Sequence, residues 1–220
     1  MLTIVIFPIL FVSLFILYVL CKDDFLLIRK DIKMPFLFNN IFLSIGIGMI
    51  VARLIYIVDS NKIFLINPLV FFHLVNYGGL SIFGGFLGGI FGLLLFTSEK
   101  KAAGRILDIS SLSFFPLLFL YLFSKPFSDF FVPLKFVIPL LLIAMFIIFL
   151  NFHKKYSLKD GNIFLYILIL FSIFNLVFGF FNAHGIVLWR FSFSQTLSAF
   201  WILFSVIILV ARSKNLLFKK

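Results

Sequence analysis

Cysteine, acidic residues and charge of any kind are scarce in this sequence. The single cysteine, Cys21, excludes an internal disulfide and a metal site built on cysteines. Charged residues make up only 12% of the chain and hydrophobic residues 63%, which excludes a soluble domain. Decapeptides that alternate polar and apolar residues are absent, so an outer-membrane barrel is not expected. The composition therefore predicts an all-α, polytopic integral membrane protein.

Seven apolar runs are long enough to cross a bilayer as helices, which takes about 20 residues. Fourteen of the nineteen basic residues follow the odd-numbered runs or lie in the C-terminal tail. Because basic loops stay in the cytoplasm, this asymmetry predicts an N-terminus outside the cell and a cytoplasmic C-terminus. The basic residues behind the net charge of +11 are thus interpreted as signals that orient the protein in the membrane. They do not indicate a nucleic-acid partner. The runs lie near residues 2–20, 36–58, 79–97, 108–124, 134–151, 162–181 and 193–211.

The segment between the second and third runs is too short and too mixed in polarity to cross the membrane. Within it, Asn67 followed by Pro68 is typical of a helix N-cap and first helical residue. We therefore expect a short helix along the outer interface, just before the third span. No linker, charge block or strong internal repeat divides the chain, so residues 1–220 are interpreted as a single transmembrane domain.

Glycine is concentrated in the stretch from Tyr77 to Gly92. Three of these glycines recur every fourth residue, which is the spacing that allows another transmembrane helix to approach closely. The spacing alone leaves two interpretations open: a helix-packing face or a loop that faces a ligand. The glycines are Gly78, Gly79, Gly84, Gly85, Gly88, Gly89 and Gly92, and the recurring three are Gly84, Gly88 and Gly92.

Arg53 is an arginine inside a predicted span, where a charged side chain costs about 2.5–3.5 kcal/mol on insertion scales. Tyr56 shares its helix face, and Asp59 lies near the outer end of the same helix. One interpretation is a guanidinium that binds a lipid phosphate with two hydrogen bonds. The other is an arginine that pairs with Asp59 or a carbonyl, or that reaches toward the headgroups.

The histidines and Asp108 give weaker indications of a functional site. His73, His153 and His184 are far apart and lack the spacing of a metal site, so neither a metal nor another cofactor is expected. Among them, only His73, beside the glycine stretch, is a candidate base. Asp108 opens the fourth predicted span and is interpreted as a helix cap at the cytoplasmic interface.

Five pieces of the sequence, taken in order, carry a family resemblance: Ala52–Tyr56, Asn67–Leu69, Gly78–Gly88, a basic loop with the Asp108 span, and Phe193–Ser198 with Gln195 at the entry to the last span. Over roughly half of the chain, these motifs resemble the bacterial prolipoprotein diacylglyceryl transferase family. The resemblance implies transfer of a diacylglyceryl group from phosphatidylglycerol to the lipobox cysteine of a prolipoprotein, at the outer face of the inner membrane. It implies membrane phospholipid and prolipoprotein signal peptides as partners.

The sequence departs from the family pattern where its chemistry needs particular groups. The histidine of the family's Ser-Phe-His-Gly-Gly motif aligns with Phe83. Phe171 and Asn175 stand where the family has a tyrosine and an arginine. The family's Gly-Arg-x-Gly-Asn-Phe-x-Asn-Gly-Glu signature, expected after the fourth span, and its external head segment also lack counterparts in this sequence. Because losing one charged group that acts in a transition state costs several kcal/mol, we expect a catalytically impaired member that keeps an outer-leaflet phospholipid groove.

Two alternatives remain open from the sequence. In the first, the protein is an active transferase in which other residues substitute for the lost groups; His73 and Tyr77 are the catalytic candidates, and Arg53, Tyr56 and Arg190 are the candidate ligands of a lipid phosphate. In the second, it transports a small solute or a lipid. We expect localisation in the bacterial inner membrane in each case.

Overall fold

The computed structural model describes residues 2–59, 80–97, 102–118, 134–182 and 193–217. These ranges are largely α-helical, because long apolar runs without water must satisfy their backbone hydrogen bonds internally. In chain order the helices are α1 (Leu2–Lys22), α2 (Phe25–Arg29), α3 (Met34–Asp59), α4 (Ile82–Thr97), α5 (Ala103–Ser113), α6 (Leu134–Lys154), α7 (Asn162–Asn182) and α8 (Phe193–Leu217).

Three helices in the described ranges are long and apolar enough to cross a membrane. They are α3, α6 and α8, in the stretches Met34–Val58, Val137–Lys154 and Phe193–Lys214. Shorter apolar helical stretches occur in α1, α4 and α7. The expectation of a helical membrane protein is thus met, while the count of seven spans and their orientation stay predictions.

The region predicted as the fourth span, 108–124, is not one continuous α-helix in its described part. α5 begins at Ala103 and ends at Ser113, and an 11-residue helix is only about 16 Å long. Beyond it, the backbone N–H groups of Phe115 and Leu118 donate to carbonyls three residues back, at 3.2 and 2.9 Å. Pro116 explains the change, because proline has no N–H and its ring disfavours a continuing α-helix.

The chain divides into two compact units. Unit 1 comprises Met1–Met34 and Lys101–Leu168, and unit 2 comprises Pro35–Lys100 and Ile169–Lys220. In unit 1, α5 packs against both α1 and α6, and its residues from Arg105 to Ser113 are all buried.

Large apolar side chains cover much of the outside of the helices. Phe11, Leu140 and Ile207 are exposed by 73%, 72% and 66%. A water-soluble monomer rarely exposes apolar surface on this scale. These side chains are therefore in place to contact the acyl chains of a bilayer.

Candidate functional site

The glycine stretch places α4 directly against α3 in unit 2. A Cβ atom added to Gly88 would lie 2.6 Å from the Cβ of Val51 and 3.0 Å from the Cα of Gly48. One added to Gly92 would lie 2.9 Å from the Cα of Ser44. Gly84, one turn earlier, faces Ala52 and Ile55 at 3.1 Å. At Gly88 and Gly92 a Cβ would fit only if a neighbouring atom moved, and at Gly84 the fit would be tight. The three glycines thus form a close helix-packing face.

Ser81 fixes the start of α4. Its hydroxyl accepts a hydrogen bond from the N–H of Gly84 at 3.1 Å, which is the geometry of an N-cap. Its own N–H donates to the carbonyl of Ala52 on α3 at 3.1 Å. The first turn of α4 is thus held beside the part of α3 that carries Arg53.

Arg53 is buried, with only 3% of its surface exposed. Its guanidinium carbon lies 5.8 Å from the centre of the Tyr56 ring, a distance compatible with a cation–π contact. The burial shows that this guanidinium does not extend to the outer surface of the described fold. Its proposed role as a ligand of a lipid phosphate stays a prediction.

An aromatic stack joins the first turn of α4 to α7. The rings of Phe83 and Phe171 are 6.0 Å apart with an interplanar angle of 17°. Phe86 also stacks on Phe171, with ring centres 4.5 Å apart. Both Phe83 and Phe171 are almost completely buried. The contact between these two helices is therefore made of hydrocarbon.

A neutral polar network lies one turn further along α7. The amide nitrogen of Asn175 donates to the hydroxyl of Ser198 at 2.8 Å and to the carbonyl of Ser194 at 3.2 Å. Gln195 is also buried, and a Cβ on Gly179 would collide with its side chain. The network joins α7 to α8 through hydrogen bonds, which satisfy these polar groups inside an apolar unit.

Unit 1 contains a buried ion pair. Nε of Arg105 donates a hydrogen bond to Oδ2 of Asp24 at 2.8 Å, and Nη2 lies 2.7 Å from the same oxygen in an ion pair. Its Nη2 also lies 3.1 Å from Nε2 of His153 and donates to the His153 carbonyl at 3.3 Å. The guanidinium carbon stands 4.5 Å from the centre of the Tyr156 ring. These contacts offset the free-energy cost of removing the Arg105 charge from water, which is high for a buried ion without partners.

Asp24 has a second role as the N-cap of α2. Its Oδ1 accepts hydrogen bonds from the N–H groups of Leu26 and Leu27 at 3.0 and 3.1 Å. Burial raises the pKa of this carboxyl, but hydrogen bonds from His153 and Arg105 and the Arg105 charge outweigh it and lower the pKa from 3.8 to about 2. Asp24 is therefore ionised at neutral pH and anchors α2 to α5 and α6.

The interpretation of Asp108 as the cap of its own helix is wrong. α5 begins five residues earlier, at Ala103, so Asp108 lies inside the helix. Its carboxylate instead accepts hydrogen bonds from the N–H groups of Gly161 and Phe164 at 2.7 and 2.8 Å. These groups lie at the start of α7, where unpaired N–H groups favour a negative charge. Asp108 therefore caps α7.

The comparisons with known proteins place this architecture in one family. The family described as prolipoprotein diacylglyceryl transferase matches residues 2–120, which is more than half of the chain. The chain belongs to the prolipoprotein diacylglyceryl transferase family. It is 37% identical over 79 residues to the phosphatidylglycerol–prolipoprotein diacylglyceryl transferase of Fusobacterium nucleatum. That match covers 36% of this chain and 27% of the relative, so it spans far less than the relative's full length. Comparison with solved structures gives no match.

The aromatic stack and the polar network contain three positions at which the sequence resemblance predicts other residues. It predicts a histidine at Phe83, a tyrosine at Phe171 and an arginine at Asn175; of these three, Phe83 lies within the residues that match the family. The structure brings Phe83 and Phe171 into contact and places Asn175 one turn away on α7. Positions that are distant in the sequence, and unconnected by any local pattern, thus form one region of unit 2.

Several predicted site residues lie outside the described residues. They include both weak catalytic candidates, one candidate phosphate ligand, the predicted cap of the interfacial helix and the first glycine pair: His73, Tyr77, Arg190, Asn67, Gly78 and Gly79. Among the residues that are described, no group of three or more His, Cys, Asp or Glu side chains could hold a metal ion.

The ion pair of unit 1 is not predicted by the sequence. From the sequence, Arg105 is counted among the fourteen basic residues that predict the orientation, whereas in the structure it is 2% exposed. His153 is interpreted from the sequence only as a histidine without the spacing of a metal site. The one local signal is Asp24, an aspartate followed by a short apolar helix, which is a pattern typical of an N-cap. Its pairing with an arginine 81 residues away has no local sequence signal.

Proposed function

We propose that this protein is a prolipoprotein diacylglyceryl transferase-like membrane protein that binds phospholipid but is impaired in diacylglyceryl transfer. The observation that carries the proposal is the buried stack of Phe83 on Phe171. It fills the positions where the family pattern has a histidine and a tyrosine.

The transfer reaction requires chemistry that this stack does not supply. The attacking cysteine reacts as a thiolate, so a nearby group must help to remove its proton. The departing phosphate of phosphatidylglycerol carries negative charge and needs cationic or hydrogen-bonding partners. A phenylalanine ring can neither accept a proton nor neutralise a phosphate. Asn175 is neutral, and its amide already donates to Ser194 and Ser198.

Phospholipid binding is the part of the family function that unit 2 supports best. Arg53 supplies a buried cation beside Tyr56, and a guanidinium can bind a phosphate with two hydrogen bonds. In this proposal Arg53, Tyr56 and Arg190 hold the headgroup of a phospholipid, with phosphatidylglycerol as the candidate, in an outer-leaflet groove. Prolipoprotein signal peptides are the proposed protein partners.

The proposed membrane arrangement follows the charge asymmetry of the loops. The chain would cross the bacterial inner membrane seven times, with its N-terminus outside and its C-terminus in the cytoplasm. The interfacial helix that begins at Asn67 would then lie on the outer side, next to the glycine stretch.

Complementation tests whether the protein catalyses transfer in a cell. The protein is expressed in bacteria depleted of their own transferase, with the Fusobacterium nucleatum enzyme as the positive control and membrane fractionation to verify insertion. We expect recovery with the control enzyme and no recovery with this protein. Growth that is rescued by the parent and abolished by Arg53→Ala would contradict catalytic impairment.

Lipid binding is tested separately on the purified protein. Native mass spectrometry in detergent would compare retained phosphatidylglycerol with retained phosphatidylcholine. We expect Arg53→Gln to lower phosphatidylglycerol binding several-fold and Arg53→Lys to keep part of it, since lysine keeps the charge but loses the two-pronged geometry. Lys214→Gln, an exposed position on α8, is the matched control. Equal binding by Arg53→Gln and the parent would remove Arg53 from the lipid site.

A further inference from the structure

Four helix ends meet at one end of unit 1. The C-terminal end of α1 leads through Asp24 into α2, and Arg105 near the start of α5 pairs with that aspartate. The carbonyl and imidazole of His153, in the last turn of α6, contact the same arginine. The start of α7 is tied to α5 by Asp108. These contacts fix the relative positions of residues that the sequence places in separate loops.

The short helix α2 is apolar on two sides. Leu27 faces inward and is 2% exposed, whereas Phe25 and Ile28 are exposed by 62% and 64%. Tyr156, in the turn after α6, is also exposed, and its hydroxyl accepts a hydrogen bond from the N–H of Phe25 at 3.2 Å. An aromatic and apolar surface therefore continues from α2 onto the α6–α7 connection.

Basic residues surround this apolar surface. Seven exposed lysines and arginines lie in α1, α2, the last turn of α6 and the segments next to these helices. The exposed acidic residues in the same regions are two, Asp23 and Asp31. We call these seven residues, together with Phe25 and Ile28, the basic face. The seven are Lys22, Arg29, Lys30, Lys33, Lys154, Lys155 and Lys159.

We propose that the basic face binds anionic phospholipids of the membrane leaflet at this end of unit 1. The positive charges complement the phosphate groups of the headgroups, and Phe25 and Ile28 are in place to enter the boundary between headgroups and acyl chains. This combination of an apolar face and flanking lysines and arginines is what anchors interfacial helices to anionic membranes. The surface is in unit 1 and shares no residue with the phospholipid groove proposed around Arg53.

A lipid fits this surface better than a soluble partner because of where α2 lies along the chain. α2 begins three residues after α1 ends, and the apolar part of α1 runs from Pro8 to Lys22. His153 and Lys154 end α6, whose apolar stretch starts at Val137. The basic face therefore lies where two apolar helices leave the bilayer, next to the headgroups of the same membrane.

The ion pair of unit 1 gives the basic face a fixed geometry. A five-residue helix is too short to be stable by itself. Asp24 caps it and pairs with buried Arg105, so α2 keeps its orientation without a lipid. A preformed surface binds with a smaller loss of conformational freedom than one that must fold on binding.

Lipid selectivity of the reconstituted protein tests the proposal. Spin-labelled phosphatidylserine and phosphatidylcholine would be compared for the fraction that is motionally restricted by the full-length protein in phosphatidylcholine vesicles. We expect a preference for phosphatidylserine that weakens with added salt. Because a lysine near an anionic surface contributes about a fivefold factor in affinity, Lys154→Gln with Lys155→Gln should lower the preference several-fold.

Two matched variants distinguish the basic face from the rest of the molecule. Replacing the same two lysines by arginine should keep the preference, since the charge is kept. Lys135→Gln, at the opposite end of α6, should leave it unchanged. The proposal would be overturned by a parent protein without a preference for phosphatidylserine. It would also be overturned if the variant with both Lys154→Gln and Lys155→Gln kept the preference.

The depth of α2 gives a second, independent readout. A nitroxide at Ile28→Cys, in a Cys21→Ala background, would be tested for collision with oxygen, which concentrates in the membrane, and with a water-soluble nickel chelate. We expect a position at the headgroup–acyl boundary when phosphatidylserine is present. A label fully accessible to the nickel chelate would contradict the proposal and would leave the surface for a soluble partner.

Discussion

The polar contacts that join helices are charged in unit 1 and neutral between α7 and α8 of unit 2. In unit 1, Asp24 and Arg105 are buried together and join helices that are distant in sequence. In unit 2, Phe83, Phe171 and Asn175 lie in an aromatic stack and a neutral network, at positions where the sequence resemblance predicts a histidine, a tyrosine and an arginine. The charges of unit 1 therefore connect helices, while under the proposed function unit 2 lacks groups that would act on a substrate.

The proposed function separates the requirements of folding from those of reaction. The close glycine contacts of α4 on α3 include Gly84, the residue after Phe83, where the sequence resemblance predicts a histidine. Under this proposal, the packing of α4 is kept while the chemistry at the adjacent position is lost. Substitutions in each unit test this contrast.

Breaking the ion pair of unit 1 should have the largest effect on stability. Arg105→Met leaves the Asp24 carboxylate buried without its cation, which typically costs about 3–5 kcal/mol. Thermal unfolding of the purified protein in detergent, followed by size-exclusion profile, measures the loss. The exposed Arg29→Gln serves as the control, with an expected change within about 0.5 kcal/mol. An Arg105→Met protein as stable as its parent would show that the pair does not hold unit 1 together.

Acid should weaken the same pair. The folded-state pKa of Asp24, about 2, lies below its ordinary value of 3.8, so the ionised carboxylate stabilises the folded protein at and above that ordinary value. This stabilisation is lost as the pH falls from 3.8 toward about 2. The stability difference between the parent and Asp24→Asn should therefore be largest near neutral pH and should shrink across that acidic range. A difference that does not change with pH would mean that the Asp24 charge is not what stabilises the contact.

The glycine face of unit 2 should show a smaller but position-specific effect. Gly88→Ala places a Cβ 2.6 Å from that of Val51, and such overpacking costs about 1–3 kcal/mol. Gly89→Ala, on the next residue, has its nearest neighbour at 3.9 Å and should be tolerated. Unfolding in graded sodium dodecyl sulfate compares the two variants. Alanine's higher helix propensity favours both variants alike, so equal losses at both positions would show that the α3 contact does not determine the cost.

The sequence predicted the parts of this structure that depend on local pattern. Apolar runs predict helices because every backbone group in lipid must be bonded internally, and the spacing of Gly84, Gly88 and Gly92 marks the side of α4 that lies on α3. Asp108 and Arg105 could not be assigned in this way. Their partners are 53 and 81 residues away, and which loop ends meet is decided by tertiary packing.

Restoring a single group should have the smallest effect on function. Phe83→His alone is expected to give no diacylglyceryl transfer, because the sequence resemblance also predicts an arginine at Asn175 and a tyrosine at Phe171. It also puts an imidazole into an apolar stack, at a cost of about 1–3 kcal/mol if the ring finds no hydrogen-bond partner. Transfer and thermal stability would be measured on the same preparation. A clear gain of transfer by this one substitution would show that the other two positions are dispensable.

The most direct measurement is the formation of thioether-linked diacylglyceryl peptide by the parent protein. Protein in phosphatidylglycerol nanodiscs is incubated with a lipobox peptide, beside the Fusobacterium nucleatum transferase and empty nanodiscs, and the product is identified by mass spectrometry. The proposed impairment at the Phe83–Phe171 stack predicts product with the relative and none above empty nanodiscs with this protein. Product that this protein forms and that Arg53→Ala abolishes would contradict the account.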